Sequence, residues 1–148
     1  MELSDDGMCF ACGKKNPLGL HLKVRLEGER DAVAEFTPAK NHQGYKDIVH
    51  GGILVTVLDE VIAHTLYQRG ILAMTGKLEV RYHRPALVGE TLQVRATIEK
   101  ESSRGFDVRA QAVNRAGEKV AEARATMIRQ RHTGPSSTGS AGLFPAKP

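Results

Sequence analysis

"HGGILVTVLDE", residues 50–60, is the stretch whose reading decides the fold. Apolar residues recur through it at helical spacing. Ile53, Val57 and Val61 form one line, and Leu54, Leu58, Ile62 and Leu66 another. The spacing predicts a helix over 48–69, stopped by Gly70. A helix apolar almost all round is buried on most sides. Yet this one opens with a histidine and two glycines and carries two acids, Asp59 and Glu60. With about 100° between successive residues, Gly52, Thr56, Asp59 and Ala63 fall on one stripe, on which everything but the acid is small. Leu54, Val57, Leu58, Val61 and Thr65 occupy the opposite arc, the face expected to meet a sheet. Glu60 lies about 100° further round, beside His64, with which it pairs at i,i+4, and is expected at an exposed rim.

Around this helix the apolar period is two. Leu22, Val24 and Leu26 alternate with Lys23 and Arg25, and the run 31–36 follows after "EGER", which reads as a hairpin. "TPAKNHQGYKD" is a polar loop before the helix. After it, Leu78, Val80 and Tyr82 alternate with charged residues, and Pro85 ends that strand. Two further strands centre on Val94 and Val108, with "SSRG" between them, and a last one spans 119–129 after "NRAGE". Two strands, one long helix and a meander pack most economically as a sheet curled around the helix, an α+β architecture. The sheet's other face, with Arg81, Arg95 and Arg109, is expected to meet water. Its open edges predict a dimer on physical grounds alone.

A chain of 148 residues is long enough for one domain burying about 68–70% of its unfolded surface. The division expected is one domain over 1–131, with a lead-in loop at 1–20, and a Gly/Ser/Pro-rich tail at 132–148. With no run of about 18 apolar residues and no leader-like opening, neither a membrane span nor secretion is expected, and the two cysteines read as reduced thiols in a cytoplasm. A net charge of +4 favours anionic partners. Aromatic residues make up only 5% and form no stacking cluster, so nucleic acid is not among them.

The first amides of a helix lack partners within it and carry partial positive charge. Gly51 and Gly52 place two of them where no side chain is expected to block access, which suits an anion or a carbonyl gaining negative charge. A permissive turn is the plainer alternative. Asp59 likewise reads either as an acid satisfied at a helix contact or as a functional one, since buried acids are rare unless paired.

"HQGYKDIVHGGILVTVLDE" followed by "GKLEVRYHRPALVGETLQVRATI", with the leading "CFACGKKNPLGLHL", resembles the hotdog-fold acyl-CoA thioesterases of the phenylacetate-pathway (PaaI-like) type. The resemblance runs from about Cys9 to Arg129. It implies a hotdog fold, homodimers whose sheets join edge to edge and that often pair into tetramers, and an active site between protomers. It also implies hydrolysis of a small aryl or short to medium acyl thioester of coenzyme A. No separate cofactor is implied, coenzyme A being part of the substrate. Residue by residue, Asp59 matches the family's general base or nucleophile. Gly51 matches the amide that polarises the carbonyl, with Gly52 beside it, and His50 the motif histidine. Thr75 falls where relatives carry a Ser or Thr that helps hold the attacking water. Gln43 is nearest to where the loop often supplies an Asn or Gln, with His42 or Asn41 as alternatives in that place. Many relatives read Pro-Gly where this chain has Lys46-Asp47. Arg84 and Arg104 are candidates for the coenzyme A phosphates.

Other classes compete with this reading. A hotdog dehydratase or hydratase wants a catalytic His paired with an acid, and none is found at the helix start beyond His50. A binding module sensing acyl-CoA without turnover is the other. Cys9 and Cys12 form one C-x-x-C pair, which needs two further ligands, such as His21 or the pair of another protomer, to hold zinc. No metal is expected from it.

Overall fold

The computed structural model describes residues 4–130, so the expected tail at 132–148 lies outside the described residues. The elements are β1 (Val24–Glu27), β2 (Asp31–Phe36), β3 (Gln43–Tyr45), β4 (Ile48–Val49), α1 (Gly51–Tyr67), β5 (Ala73–Tyr82), β6 (Leu92–Glu101), β7 (Gly105–Val113) and β8 (Lys119–Arg129). Six strands form one antiparallel sheet in the order β1-β2-β6-β7-β8-β5, and β3 pairs with β4 apart from it. All six sheet strands touch α1. The sheet therefore wraps the helix, the hotdog arrangement.

Alternation explains why the sheet curls inward. Val94, Ala96, Val108, Ala110, Ala112, Ala121, Ala123 and Ala125 are buried under α1, and the many alanines leave room for a helix lying close. Against them α1 buries Leu54, Val57, Leu58, Val61, Ile62 and Leu66. Each such side chain contributes about 1.5–3 kcal/mol of burial. The arc expected to face the sheet does so, Thr65 included, whose hydroxyl donates to the Ile62 carbonyl. Past the helix end, Arg69 donates to the carbonyls of Gly28 and Asp31, and Gln68 to that of Val24, which pins α1 to the first hairpin.

The helix begins three residues later than the apolar spacing predicts. His50 is extended (φ −62, ψ 131), so Ile48 and Val49 leave the helix and pair with β3 instead. Likewise β1 starts at Val24 because His21 adopts φ 51, a conformation no strand continues through. Strand β5 starts earlier, at Ala73, and its pairing with β8 is interrupted between Thr75 and Lys77. On the outer face Arg81 and Arg109 are exposed, and Arg95 bridges Glu27 and Asp31. Among the described residues β5 has no strand on its outer side, and its ten residues leave an open edge. No helix among these residues is long and apolar enough to cross a membrane.

Candidate active site

The helix start is shaped by two side chains. His50 caps it, its Nδ1 accepting from the Gly52 N–H at 2.9 Å. A ring nitrogen that accepts carries no proton, so Nε2 is left as the donor. Only one of the two glycine amides is therefore offered, against the expectation of two. Gly52 N–H is used by the cap, whereas Gly51 N–H has no acceptor among the described residues. The glycines answer to close approach. A Cβ on Gly51 would lie 3.0 Å from the Tyr82 hydroxyl, and one on Gly52 would lie 3.1 Å from His50 Nδ1. Tyr82 donates to the Gly51 carbonyl at 3.0 Å. Sequence reasoning missed Tyr82 as a site residue, since its place in the β5 alternation marks it as core, yet it is 52% exposed.

Two turns on, Asp59 is half-buried on the stripe of small residues, within reach of β5. Thr75 on the edge strand donates to its Oδ1 at 2.8 Å, with Met127 Sδ 3.5 Å from the same hydroxyl. Thr56 on the same stripe turns its hydroxyl inward to the Gly52 carbonyl. The structure thus brings Thr75 to Asp59 and His50 to Gly51 and Gly52. It does not bring the two groups together within one chain, because eight residues of helix separate Gly51 from Asp59 by about 12 Å.

The loop before the helix presents Asn41 and Gln43 exposed, with His42 between them half-buried. Gln43 is spent on the loop itself, accepting from the Asp47 N–H at 3.1 Å. Asp47 adopts φ 63, the left-handed conformation that glycine favours, and Lys40 binds its carboxylate at 2.6 Å. Lys46-Asp47 therefore makes the sharp turn without a glycine. His42 stacks on Phe36, its Nδ1 accepts from the Ala39 N–H, and its carbonyl accepts from the His50 N–H, fastening loop to helix start.

Glu60 is not at an exposed rim. It pairs with His64 as the spacing predicts, Nε2 to Oε1 at 2.9 Å, but the two side chains are only 14% and 8% exposed. Gln68 donates to His64 Nδ1 at 2.7 Å, so His64 keeps its proton on Nε2 and donates that N–H in the hydrogen bond to Glu60 Oε1. Burial alone would raise the Glu60 pKa; hydrogen bonds from His64, Cys12 and Cys9 hold the carboxyl below its ordinary range. Cys9, Cys12 and Glu60 place one ligand atom each within 4.8 Å of one another. They line a groove of about 460 Å³ with His64, Tyr67 and Ala73. The meeting of the C-x-x-C pair with Glu60 carries no periodic signal, and sequence reasoning missed it.

Arg84 and Arg104 lie at opposite ends of β8. Arg84 donates to the Lys119 carbonyl and pairs with Glu118, while the Arg104 carbonyl accepts from the Arg129 N–H. Up to about 33 Å of strand runs between them, and the Arg84 guanidinium is engaged by Glu118.

Comparison with known proteins bears on this geometry. Residues 46–121 match the sequence profile of the thioesterase superfamily. The fold is similar to that of PaaI from the phenylacetic acid degradation operon of Escherichia coli, with a TM-score of 0.70 and 23% identity over 74% of this chain and 84% of that one. It is equally similar to a hypothetical thioesterase of Streptococcus pneumoniae solved with coenzyme A (TM-score 0.70, 16% identity, 74% of this chain and 85% of that one). That pneumococcal protein has also been solved with an aspartate, and separately with a threonine sixteen positions later, replaced by alanine. A sequence relative, an uncharacterized protein of Schizosaccharomyces pombe, is 33% identical over 67 residues, 44% of this chain and 38% of that protein. The matched stretch thus spans well under half of that relative.

Proposed function

This chain belongs to the thioesterase superfamily, and from that premise we propose that it hydrolyses acyl-CoA thioesters with Asp59 as general base and Gly51 as carbonyl polariser. The observation that carries the reading is the Thr75–Asp59 hydrogen bond, which holds a half-buried carboxylate among the small residues of one helix stripe. Asp59 and Thr75 are sixteen positions apart, the separation of the aspartate and threonine replaced in the pneumococcal protein.

Thioester hydrolysis needs a polarised carbonyl and a directed water. The Gly51 N–H, at the positive end of α1, donates to the carbonyl oxygen, with His50 Nε2–H beside it. Asp59 takes a proton from water as its oxygen attacks the carbonyl carbon. The C–S bond then breaks, and the proton passes from Asp59 to the departing coenzyme A thiolate. Thr75 aims the carboxylate. Because Gly51 and Asp59 of one chain are about 12 Å apart, a carbonyl within reach of both draws them from two chains. The open β5 edge is the surface on which a second copy would bring them together. A dehydratase is disfavoured, since the His64–Glu60 pair has both ring nitrogens engaged, one of them by Gln68.

The test is thiol release from aryl and aliphatic acyl-CoAs by wild type, Asp59→Ala and Glu60→Ala. Turnover of at least one substrate is expected, with a loss of at least about a hundredfold in Asp59→Ala alone. A wild type that binds acyl-CoA but releases no thiol would make the chain a binding module.

A further inference from the structure

We propose that Cys9, Cys12 and Glu60 form a zinc-binding site that ties the lead-in loop to α1. The loop is built to present both thiols. Residues 9–13 close into a turn in which the Gly13 N–H donates to the Cys9 carbonyl at 2.8 Å, and the Lys15 N–H returns to the Gly7 carbonyl at 3.0 Å. Only glycine fits at the bend, for a Cβ on Gly13 would lie 2.5 Å from the Cys9 nitrogen and 2.6 Å from its carbonyl oxygen. Behind the turn Ala11 is buried, and the Leu20 and Leu22 amides bond to the carbonyls of Phe10 and Ala11. The two thiols therefore sit on a fixed frame.

The third group comes from 51 positions along the chain. Cys9 Sγ lies 3.8 Å from Glu60 Oε2 and 4.0 Å from Oε1, and the Cys12 thiol also hydrogen-bonds this carboxylate. Tetrahedral zinc, with Zn–S of about 2.3 Å and Zn–O of about 2.0 Å, needs ligand atoms about 3.5–3.8 Å apart. With all three atoms within 4.8 Å of one another, closing on an ion takes movements of at most about 1 Å. Two sulfurs and one carboxylate suit zinc and not magnesium or calcium, which take oxygen ligands. The carboxylate is already oriented from behind. Gln68 donates to His64 and His64 to Glu60 Oε1, the outer support that metal-ligating carboxylates require. The cluster lines a groove that also takes in Tyr67 and Ala73, so solvent would supply the fourth ligand. Each thiol gives up its proton to solvent when zinc binds. His21, the ligand that chain order alone suggests, is not in this cluster.

The experiment uses the full chain, kept reduced with a phosphine. It is loaded with Zn²⁺ or Co²⁺, passed through a desalting column, and assayed for metal and for thiolate-to-cobalt absorption. We expect about one ion per chain and a thiolate charge-transfer band. Cys9→Ser and Cys12→Ser should abolish both, and Glu60→Gln should weaken binding by about ten- to a hundredfold. Zn²⁺ should also raise the melting temperature of wild type in a concentration-dependent way. Cobalt retained without a thiolate band, no metal retained, or equal retention by the Cys9→Ser/Cys12→Ser chain would each overturn the site. The wild-type cobalt spectrum decides the question even where a variant fails to fold.

Discussion

The Thr75 hydroxyl donates to Asp59 Oδ1 at 2.8 Å, joining the edge strand β5 to the half-buried acid of α1. A hydrogen bond to a charged group is worth about 1.5–3 kcal/mol. Replacing Thr75 by valine keeps the side chain's shape and removes the donor. On the proposed mechanism the carboxylate then loses its aim, and kcat should fall about ten- to a hundredfold with KM nearly unchanged. Steady-state kinetics on the best acyl-CoA substrate would show it. An unaltered kcat would remove Thr75 from the machinery.

Tyr82 and Gly51 should be energetically coupled. Gly51→Ala puts a methyl group 3.0 Å from the Tyr82 hydroxyl, tighter than ordinary van der Waals contact. Tyr82→Phe removes that oxygen and its bond to the Gly51 carbonyl. Each single change is expected to destabilise by about 1 kcal/mol, and the double by clearly less than their sum. Urea denaturation of the four proteins measures the coupling; strict additivity would mean the hydroxyl and the helix start are independent.

Most of the fold is legible in the sequence because buried faces impose their period. The run from Leu92 to Arg129 alternates cleanly, and β6, β7 and β8 fall where that alternation places them. Legibility fails where a local conformation overrides the pattern. Ile48 and Val49 carry helical spacing, but the extended His50 turns them into a strand. The stripe holding Asp59 is legible, since helix geometry leaves no freedom about which residues align. The partners of Glu60 are not, because an irregular loop delivers Cys9 and Cys12 to it over 51 positions. The Gly52 amide was also hidden, since its capture depends on the rotamer of His50.

Acid should loosen the loop through His42. Burial holds the His42 pKa below its ordinary value, and its Nδ1 must stay unprotonated to accept from the Ala39 N–H. The group is thus neutral in the folded chain at pH values where the unfolded chain already binds a proton. The unfolded state then takes up more protons, so stability falls as pH drops below about 6.5 toward the lower folded value, and is unaffected above it. His42→Gln keeps an acceptor and does not titrate. Its melting temperature should decline less than that of wild type between about pH 7 and pH 5.5. Parallel declines would acquit His42.

Two inactive chains should restore each other if the site is shared between protomers. Asp59→Asn removes the proposed base, and Gly51→Val crowds the amide proposed to polarise the carbonyl against Tyr82. If one site takes Gly51 from one chain and Asp59 from the other, a mixed dimer has one intact site of two. Unfolding and refolding equal amounts together makes half of the dimers mixed, so activity should recover to about a quarter of wild type. Circular dichroism of each variant alone checks that both fold. A site contained in one chain would recover nothing, and the roughly 12 Å of helix between Gly51 and Asp59 would then need another explanation.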